Sequence, residues 1–538
     1  MERWLSFCWL GSLSLLLAVL LILIPSTGKK KLPPGPWTLP IIGCLHHIVK
    51  LLPHRALMEL SRQHGPLMLL KLGQVPTLVV SGADEAALVM KTNGLVFASR
   101  PASVTQKIFG CGGKGINFAP YGDHWRRMRK LCIRELLCPK QVRRMERIRV
   151  EEVGNLIHNI AASASTGATI NFSHKMVELG NNVVFRAVFG AKCTSQEEFL
   201  RELDTAFVLL GGFFLVDLFP SSRLLRWLSH VERDMTQSCS RIHRIITNNI
   251  HERRVVRAAG EEACSTDDEV LVDVLLRLQQ EDLLDFPLTT EIISAVLFDM
   301  FTGGTQTTGT VLEWTMSELV RNPEAMAKAQ KEVREVIGRD RAVITNNDLA
   351  QLHYLRMVIK EVLRLHPPAT LIPRMAREDC TIMSYDIPKN TNILINVFAI
   401  SRDPRYWDNP DVFKPERFQN KNINYKGAYS EFTPFGAGRR KCPGIEFARS
   451  VIEIAVANLL YHFDWMCPDG SSESSVDMYE KFGITVNRRS FSEQRLGSVR
   501  GHHSVLWTTG SLWVLGATGG RRPHGLSSTG LDGVLVTD

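Results

Sequence analysis

A glycine-rich basic loop, Phe435-Gly436-Ala437-Gly438-Arg439-Arg440-Lys441-Cys442-Pro443-Gly444, stands directly before an apolar, helix-like run from Ile445 to Phe463. Few folds accommodate such a junction. A thiolate is a strong metal ligand, and both neighbouring cations and the positive end of a helix dipole favour the ionised thiol. Cys442 is therefore a candidate iron ligand. The competing reading is a small buried core cysteine. Its neighbours favour the ligand: Gly436 and Gly438 let backbone lie against a flat cofactor, and Arg440 is placed to meet an acidic group on it.

With 538 residues, 44% of them hydrophobic, the chain has material for a large core. Its net charge of +9 suits a nucleic acid, a membrane surface or an acidic protein partner, but no charge run or nucleic-acid motif favours the first. Eleven cysteines are scattered without a C-x-x-C pair, which suggests neither a zinc site nor a disulfide framework and fits a reducing compartment. Trp4 to Ile24 is almost wholly apolar and about long enough to cross a bilayer. A signal peptide is the alternative, yet the run meets Pro25 and Lys29-Lys30-Lys31 in place of a small-residue cleavage site. A single-pass anchor is expected, with the lysines and the bulk of the chain cytosolic. Pro33-Pro34-Gly35-Pro36 then forms a stiff linker or hinge. An Asn-x-Ser acceptor at Asn171 matters only if that segment is lumenal.

Pro66 to Ser81 reads as a β-hairpin, and the alternation of Ile393, Ile395 and Val397 as a strand. Trp125 and Arg129 lie four apart in a basic helical segment, on one face, although a solvated surface helix has the same composition. The run from Phe207 to Phe219 suits either core or an apolar pocket. Thr289 to Arg321 is a long helix candidate stopped before Pro323. Gly303-Gly304 interrupts its middle, each glycine costing about 1 kcal/mol relative to alanine, so a ligand must approach the backbone there or the helix must bend. Pro323 and Gly338 bound a further helix. Leu355, Val358, Ile359, Val362 and Leu363 recur at helical spacing, with Glu361 and Arg364 three apart and able to pair. From Ser490 to Asp538 the chain is rich in Gly, Ser and Thr without sustained periodicity, and little packed structure is expected.

Phe435, Gly438, Arg440, Cys442 and Gly444 fill every defined place of F-x-x-G-x-R-x-C-x-G, and in this the chain resembles the cytochrome P-450 monooxygenases. Further signatures follow that family's order: W-x-x-x-R at Trp125 and Arg129; a glycine-threonine motif at Gly303, Gly304, Thr307 and Thr308; and E-x-x-R at Glu361 and Arg364, with Pro415-Glu416-Arg417-Phe418 downstream. The resemblance implies a mainly α fold with a smaller β region. It divides the chain into a membrane anchor and basic flank (1–31), a catalytic domain (32–489) and an atypical, disordered tail (490–538). It implies heme b with Cys442 as axial thiolate in the loop shaped by Phe435, Gly438 and Gly444. Trp125, Arg129, Arg374 and Arg440 would meet its propionates. Glu361, Arg364 and Arg417 would form a structural charge network, and Phe109, Phe213, Phe301, Gly303 and Leu371 would face the substrate.

One position departs from the pattern. Gln306 stands where the family carries a carboxylate, and glutamine holds a water by hydrogen bonds without changing its ionisation. The expectation is that Gln306 positions while Thr307 orients the water that delivers protons. The reaction implied is insertion of one atom of O2 into an apolar substrate. Electrons would come from NADPH through a membrane-bound reductase docked near Arg126, Arg127, Arg439 and Lys441. Within the family, the likeness is to plant microsomal members of the 71 clan and to cereal diterpene (pimaradiene-type) oxidases of defence pathways. That implies a terpenoid substrate and the endoplasmic reticulum membrane. Two alternatives stay open: a heme-thiolate isomerase or dehydratase, and a non-catalytic product of an altered carboxyl terminus, since the ending after Val486 is unlike the family's.

Overall fold

The computed structural model describes residues 31–489 apart from 167–168, 260–268, 282–283, 285, 340 and 467–476, together with 504–508 and 511–515. The expected anchor from Trp4 to Ile24 lies outside them, and among the described residues no helix is long and apolar enough to cross a membrane. Helices dominate. Those used below are α1 (Asp123–Leu131), α2 (Phe172–Phe189), α3 (Val231–Ala259), α4 (Thr290–Gly304), α5 (Gln306–Arg321), α6 (Pro323–Ile337), α7 (His353–Leu365) and α8 (Ile445–His462). The strands used below are β1 (Leu67–Leu72), β2 (Val75–Val80), β3 (Thr169–Ile170), β4 (Leu371–Met375), β5 (Asn392–Asn396), β6 (Asp464–Met466), β7 (Ser504–Thr508) and β8 (Ser511–Leu515).

The run from Thr289 to Arg321 is two helices, α4 and α5, divided at Thr305, where ψ is −74°. Thr289 caps α4 by accepting the Ile292 N–H. Hydroxyls of Thr302, Thr307 and Thr310 donate back to carbonyls one turn earlier, a habit that bends helices. The bend is also packed from behind. A Cβ on Gly180 of α2 would lie 2.7 Å from the Thr305 carbonyl oxygen, and one on Gly309 would lie 2.9 Å from the Val177 Cα. Helices α2 and α5 therefore meet backbone to backbone at these two glycines. Asn171 caps α2, its side chain accepting the His174 N–H at 3.0 Å. Around this pair Phe298, Leu312, Trp314, Val358 and Leu459 join one buried core.

Next to the core lies a four-stranded sheet in the order β1-β2-β5-β4. β1 and β2 form a hairpin with Leu67 opposite Val80, turning through Gly73 at φ 61°. β2 runs parallel to β5, and β5 pairs antiparallel with β4, Leu371 opposite Asn396. The strand ends at Asn396, whose side chain caps a short helix, so Val397 is helical and does not extend the alternation.

A second sheet, in the order β3-β8-β7-β6, corrects the reading of the tail. β7 and β8 pair antiparallel with Ser504 opposite Leu515, β7 runs parallel to β6, and β8 pairs antiparallel with β3. This part of the tail is thus built into the sheet. Ser-Val-Leu-Trp-Thr and Ser-Leu-Trp-Val-Leu are apolar runs separated by Thr509-Gly510, a hairpin signal obscured by the surrounding Gly, Ser and Thr.

Helix α7 carries the buried charge network. Glu361 accepts Arg364 Nε at 2.8 Å and Nη2 at 2.9 Å, and its Oε1 also accepts Arg417 Nε at 2.8 Å and the Lys414 N–H at 2.9 Å. Backbone carbonyls of Ser401, Pro410, Asp408 and Val412 take the remaining guanidinium donors. One carboxylate thus serves two arginines, and every strand of chain that supplies a carbonyl is fixed to α7.

Candidate active site

A cavity of about 290 Å³ opens between α4, α5 and the loop ahead of α8. Cys442, Phe435, Gly436 and Gly444 line it from the loop, and Met300, Gly303, Gly304 and Thr307 from the two helices. A Cβ on Gly303 would meet no atom within 4 Å, so bare helix backbone faces the open space. Gly304 serves packing instead, since its Cβ would lie 2.6 Å from Val184. The loop is closed by the Cys442 N–H donating to the Phe435 carbonyl at 3.0 Å. Gly438 sits at φ 68°, and a Cβ there would fall 1.8 Å from the Met90 carbonyl oxygen. Only glycine fits that corner.

Burial raises the Cys442 thiol above its ordinary pKa, and the Gly444 N–H, Arg129 and Lys441 only partly oppose it. The loop's cations thus act in the expected direction, toward the ionised sulfur, without outweighing burial. The side chain opens on the cavity and so is half-buried by area, yet it lies deep in the protein, where a thiolate lacks solvation.

Four arginines, Arg100, Arg129, Arg374 and Arg440, line the same cavity. Arg440 donates from Nε to Ala98 O at 2.7 Å and from Nη1 to Ile116 O at 3.2 Å. Its guanidinium lies 4.4 Å from the Trp125 ring centroid and that of Arg129 lies 5.4 Å away, so the indole is held between two cations. Trp125 Nε1 donates to Ile116 O at 3.0 Å, and Arg129 Nη2 to Lys441 O at 2.5 Å, which ties α1 to the cysteine loop. Arg100 Nε donates to Asn117 O at 2.7 Å, while Arg374 bonds the carbonyl of its neighbour Pro373 at 2.9 Å.

Burial, with repulsion among these cations, pulls Arg440 down to about 8 and Arg100 to about 10, and holds Arg374 well below the usual arginine range. Asp299 is the acid that offsets them. Its Oδ2 accepts the Ile116 N–H at 2.5 Å and the Asn117 N–H at 3.2 Å, and burial still pushes its pKa up to about 6. So positive charge accumulates around one reluctant carboxylate. Such a donor set is suited to a dianion, and a heme with its two propionates fits the arginines, the bare helix and the loop cysteine Cys442 together.

The structure brings Trp125, Arg129, Arg374, Phe435, Gly303, Thr307, Arg440, Cys442 and Gly444 to this one cavity. Gly438 turns the loop behind it. Gln306 does not line the cavity: its side chain is buried one residue before Thr307, about 100° round the helix. Of the substrate-facing candidates, Gly303 alone reaches the cavity. Phe301 packs among Phe185 at 5.5 Å and Phe199 at 4.9 Å, because two helical positions separate it from Gly303 by about 200°. Phe109 stacks on Phe298 at 6.4 Å, and Phe213 meets Phe482 at 6.3 Å. Leu371 alternates away, and its strand neighbour Ile372 lines the wall. Arg100 was not legible in the sequence. It stands alone in an apolar stretch before Pro101, and that isolation is the one signal it gives.

Comparison with known proteins agrees with this geometry. Residues 33–492 match the family described as Cytochrome P450. The chain is 44% identical over 491 residues to desmethyl-deoxy-podophyllotoxin synthase of Sinopodophyllum hexandrum, covering 91% of this chain and 96% of that protein. It is 45% identical over 488 residues to ent-cassadiene hydroxylase of Oryza sativa subsp. japonica, covering 88% and 93%. A zebra fish cytochrome P450 solved with progesterone matches with a TM-score of 0.69 at 26% identity, covering 87% of this chain and 100% of that one. The chain belongs to the cytochrome P450 family, and heme iron and O2 are that family's cofactor and co-substrate.

Proposed function

We propose that this protein is a heme-thiolate monooxygenase that hydroxylates an apolar terpenoid or a similar plant metabolite, taking electrons from NADPH through a reductase. The observation that carries the proposal is a single cavity holding Cys442, four arginines in excess of one carboxylate, and bare helix at Gly303. Heme, when bound, would supply oxygen activation, which a thiolate ligand favours. Cys442 would be that ligand. Trp125, Arg129, Arg374 and Arg440, with Arg100 beside them, would hold the propionates, and their mutual repulsion would be relieved in doing so. Thr307 would hold a water at the cavity wall by exchanging its bond to Gly303 O, now 2.5 Å long. Gln306 would act at most through the helix backbone. Met300, Ala369, Ile372 and Phe447 would orient the substrate by shape, as apolar walls do.

The N-terminal segment 1–31 would anchor the catalytic domain, 32–489, to the endoplasmic reticulum membrane as a single pass. Ile41 at 81% and Trp227 at 80% exposure stand close in sequence to Leu45 and Leu225, which pack against one apolar cluster, and such exposed apolar side chains are suited to rest on lipid. The reductase would meet exposed Arg439 and half-buried Lys441 over the cysteine loop, whereas Arg126 is already paired with Asp123.

The test is a carbon monoxide difference spectrum of the reduced protein, followed by turnover of terpene hydrocarbons with reductase, NADPH and O2. The thiolate-type absorbance should form in the parent and vanish in Cys442→Ser, and products should carry one added oxygen. Turnover that needs neither NADPH nor O2 would overturn the proposal.

A further inference from the structure

Outside the cavity a second cluster of ligand-bearing side chains converges. Cys111 comes from the short turn Cys111–Gly113, and Cys239 and His243 lie four apart on one face of α3. Their donor atoms lie within 4.8 Å of one another. Cys111 Sγ is 2.9 Å from His243 Nε2, and the other ring nitrogen, Nδ1, is 2.8 Å from Ser294 Oγ on α4. Cys239 is buried, Cys111 and His243 are half-buried, and none of the three lines the cavity. The turn runs through positive φ at Cys111, Gly112 and Gly113, which directs the thiol back toward α3. Spacing rules miss the cluster because its first member is remote in sequence, which corrects the view that these cysteines hold no metal pattern.

We infer that Cys111, Cys239 and His243 form a binding site for a soft divalent cation, zinc being the best suited, separate from the heme. Two thiolates neutralise the dication, so a half-buried place can hold it without a net charge. His243 can serve as the third ligand: in the tautomer whose Nδ1–H donates to Ser294 Oγ, the Nε2 lone pair is left for the metal. A tetrahedral zinc with Zn–S near ~2.3 Å keeps its donors about 3.5–3.8 Å apart, so the Cys111–His243 pair, now 2.9 Å apart, has to open by several tenths of an ångström, and any spacing near the 4.8 Å bound has to contract by about 1 Å. Water fills the fourth place from the half-buried side. Binding releases two protons, one from each thiol, and oxidises nothing. An occupied site would tie the turn to both α3 and α4, a few residues before Ile116 and Asn117 at the cavity wall.

The experiment titrates the full-length, heme-loaded, metal-stripped protein under reducing conditions with zinc against a chromophoric chelator, and reads the bound ion at the zinc X-ray absorption edge. One zinc per chain is expected, with two sulfur ligands at ~2.3 Å and at least one nitrogen. Cys239→Ser and His243→Gln should each weaken binding by about tenfold or more, while Cys380→Ser should not. Retained heme absorbance shows that each variant is folded, and if Cys239→Ser loses it, His243→Gln carries the test alone. A parent that binds no zinc above the level of the Cys239→Ser or His243→Gln variant, or a bound ion without sulfur neighbours, overturns the inference.

Discussion

Replacing Asp299 by asparagine tests how the charge around the cavity is balanced. The carboxylate accepts two backbone N–H bonds, from Ile116 and Asn117, and burial nevertheless raises its pKa from 3.8 to about 6. The folded protein therefore holds this proton more tightly than the unfolded chain does. The stability it contributes is fully present below the unfolded value and is lost as pH rises through about 6. At neutral pH the difference corresponds to roughly 3 kcal/mol, at ~1.4 kcal/mol per tenfold change in proton affinity. Asp299→Asn keeps the volume and one oxygen able to accept both N–H bonds, and it has no charge to desolvate. Urea unfolding followed by far-UV circular dichroism should find the variant more stable by up to roughly 3 kcal/mol at about pH 7.5, the gain falling below ~1 kcal/mol near pH 4. A variant destabilised at about pH 7.5 and less so near pH 4 would refute the reasoning, because hydrogen bonds to the charged form would then outweigh burial.

Glu361→Ala leaves the buried guanidiniums of Arg364 and Arg417 without their shared carboxylate, which should cost about 3–5 kcal/mol in urea unfolding and abolish the reduced carbon monoxide spectrum. Gly438→Ala should lose bound heme while keeping helical circular dichroism, since its Cβ must displace the Met90 carbonyl; full heme occupancy would count against that geometry. Thr307→Ala should keep the heme spectrum but yield less product per NADPH consumed, whereas Gln306→Leu should leave that ratio close to the parent's because its side chain is off the cavity wall.

What the sequence made legible follows from how local each signal is. The cysteine loop needs two glycines in left-handed backbone, Gly436 and Gly438, and those stand in the sequence as glycines. The Glu361–Arg364 spacing likewise names its own contact, one turn apart on a helix. Arg100 differs: it contributes through the cation it adds to the other three, and that sum exists only once distant segments have met. Phe109, Phe213 and Phe301 mislead because large apolar side chains satisfy core and pocket alike, and only the turn of the helix or loop decides between them. The β7–β8 hairpin was hidden by composition, the Cys111–Cys239–His243 cluster by its sequence separation.

The meeting of α2 with α5 has a last consequence. Gly180 and Gly309 brace the Thr305 bend, and neither lines the cavity. The close packing of the helix pair and the side-chain lining of the pocket thus fall to different residues. A wall residue such as Met300 is free to drift or to be redesigned for a new substrate, because the bend that presents it is held at those two glycines. A scaffold so divided is ready for diversification: it can change what it oxidises without relearning how to fold.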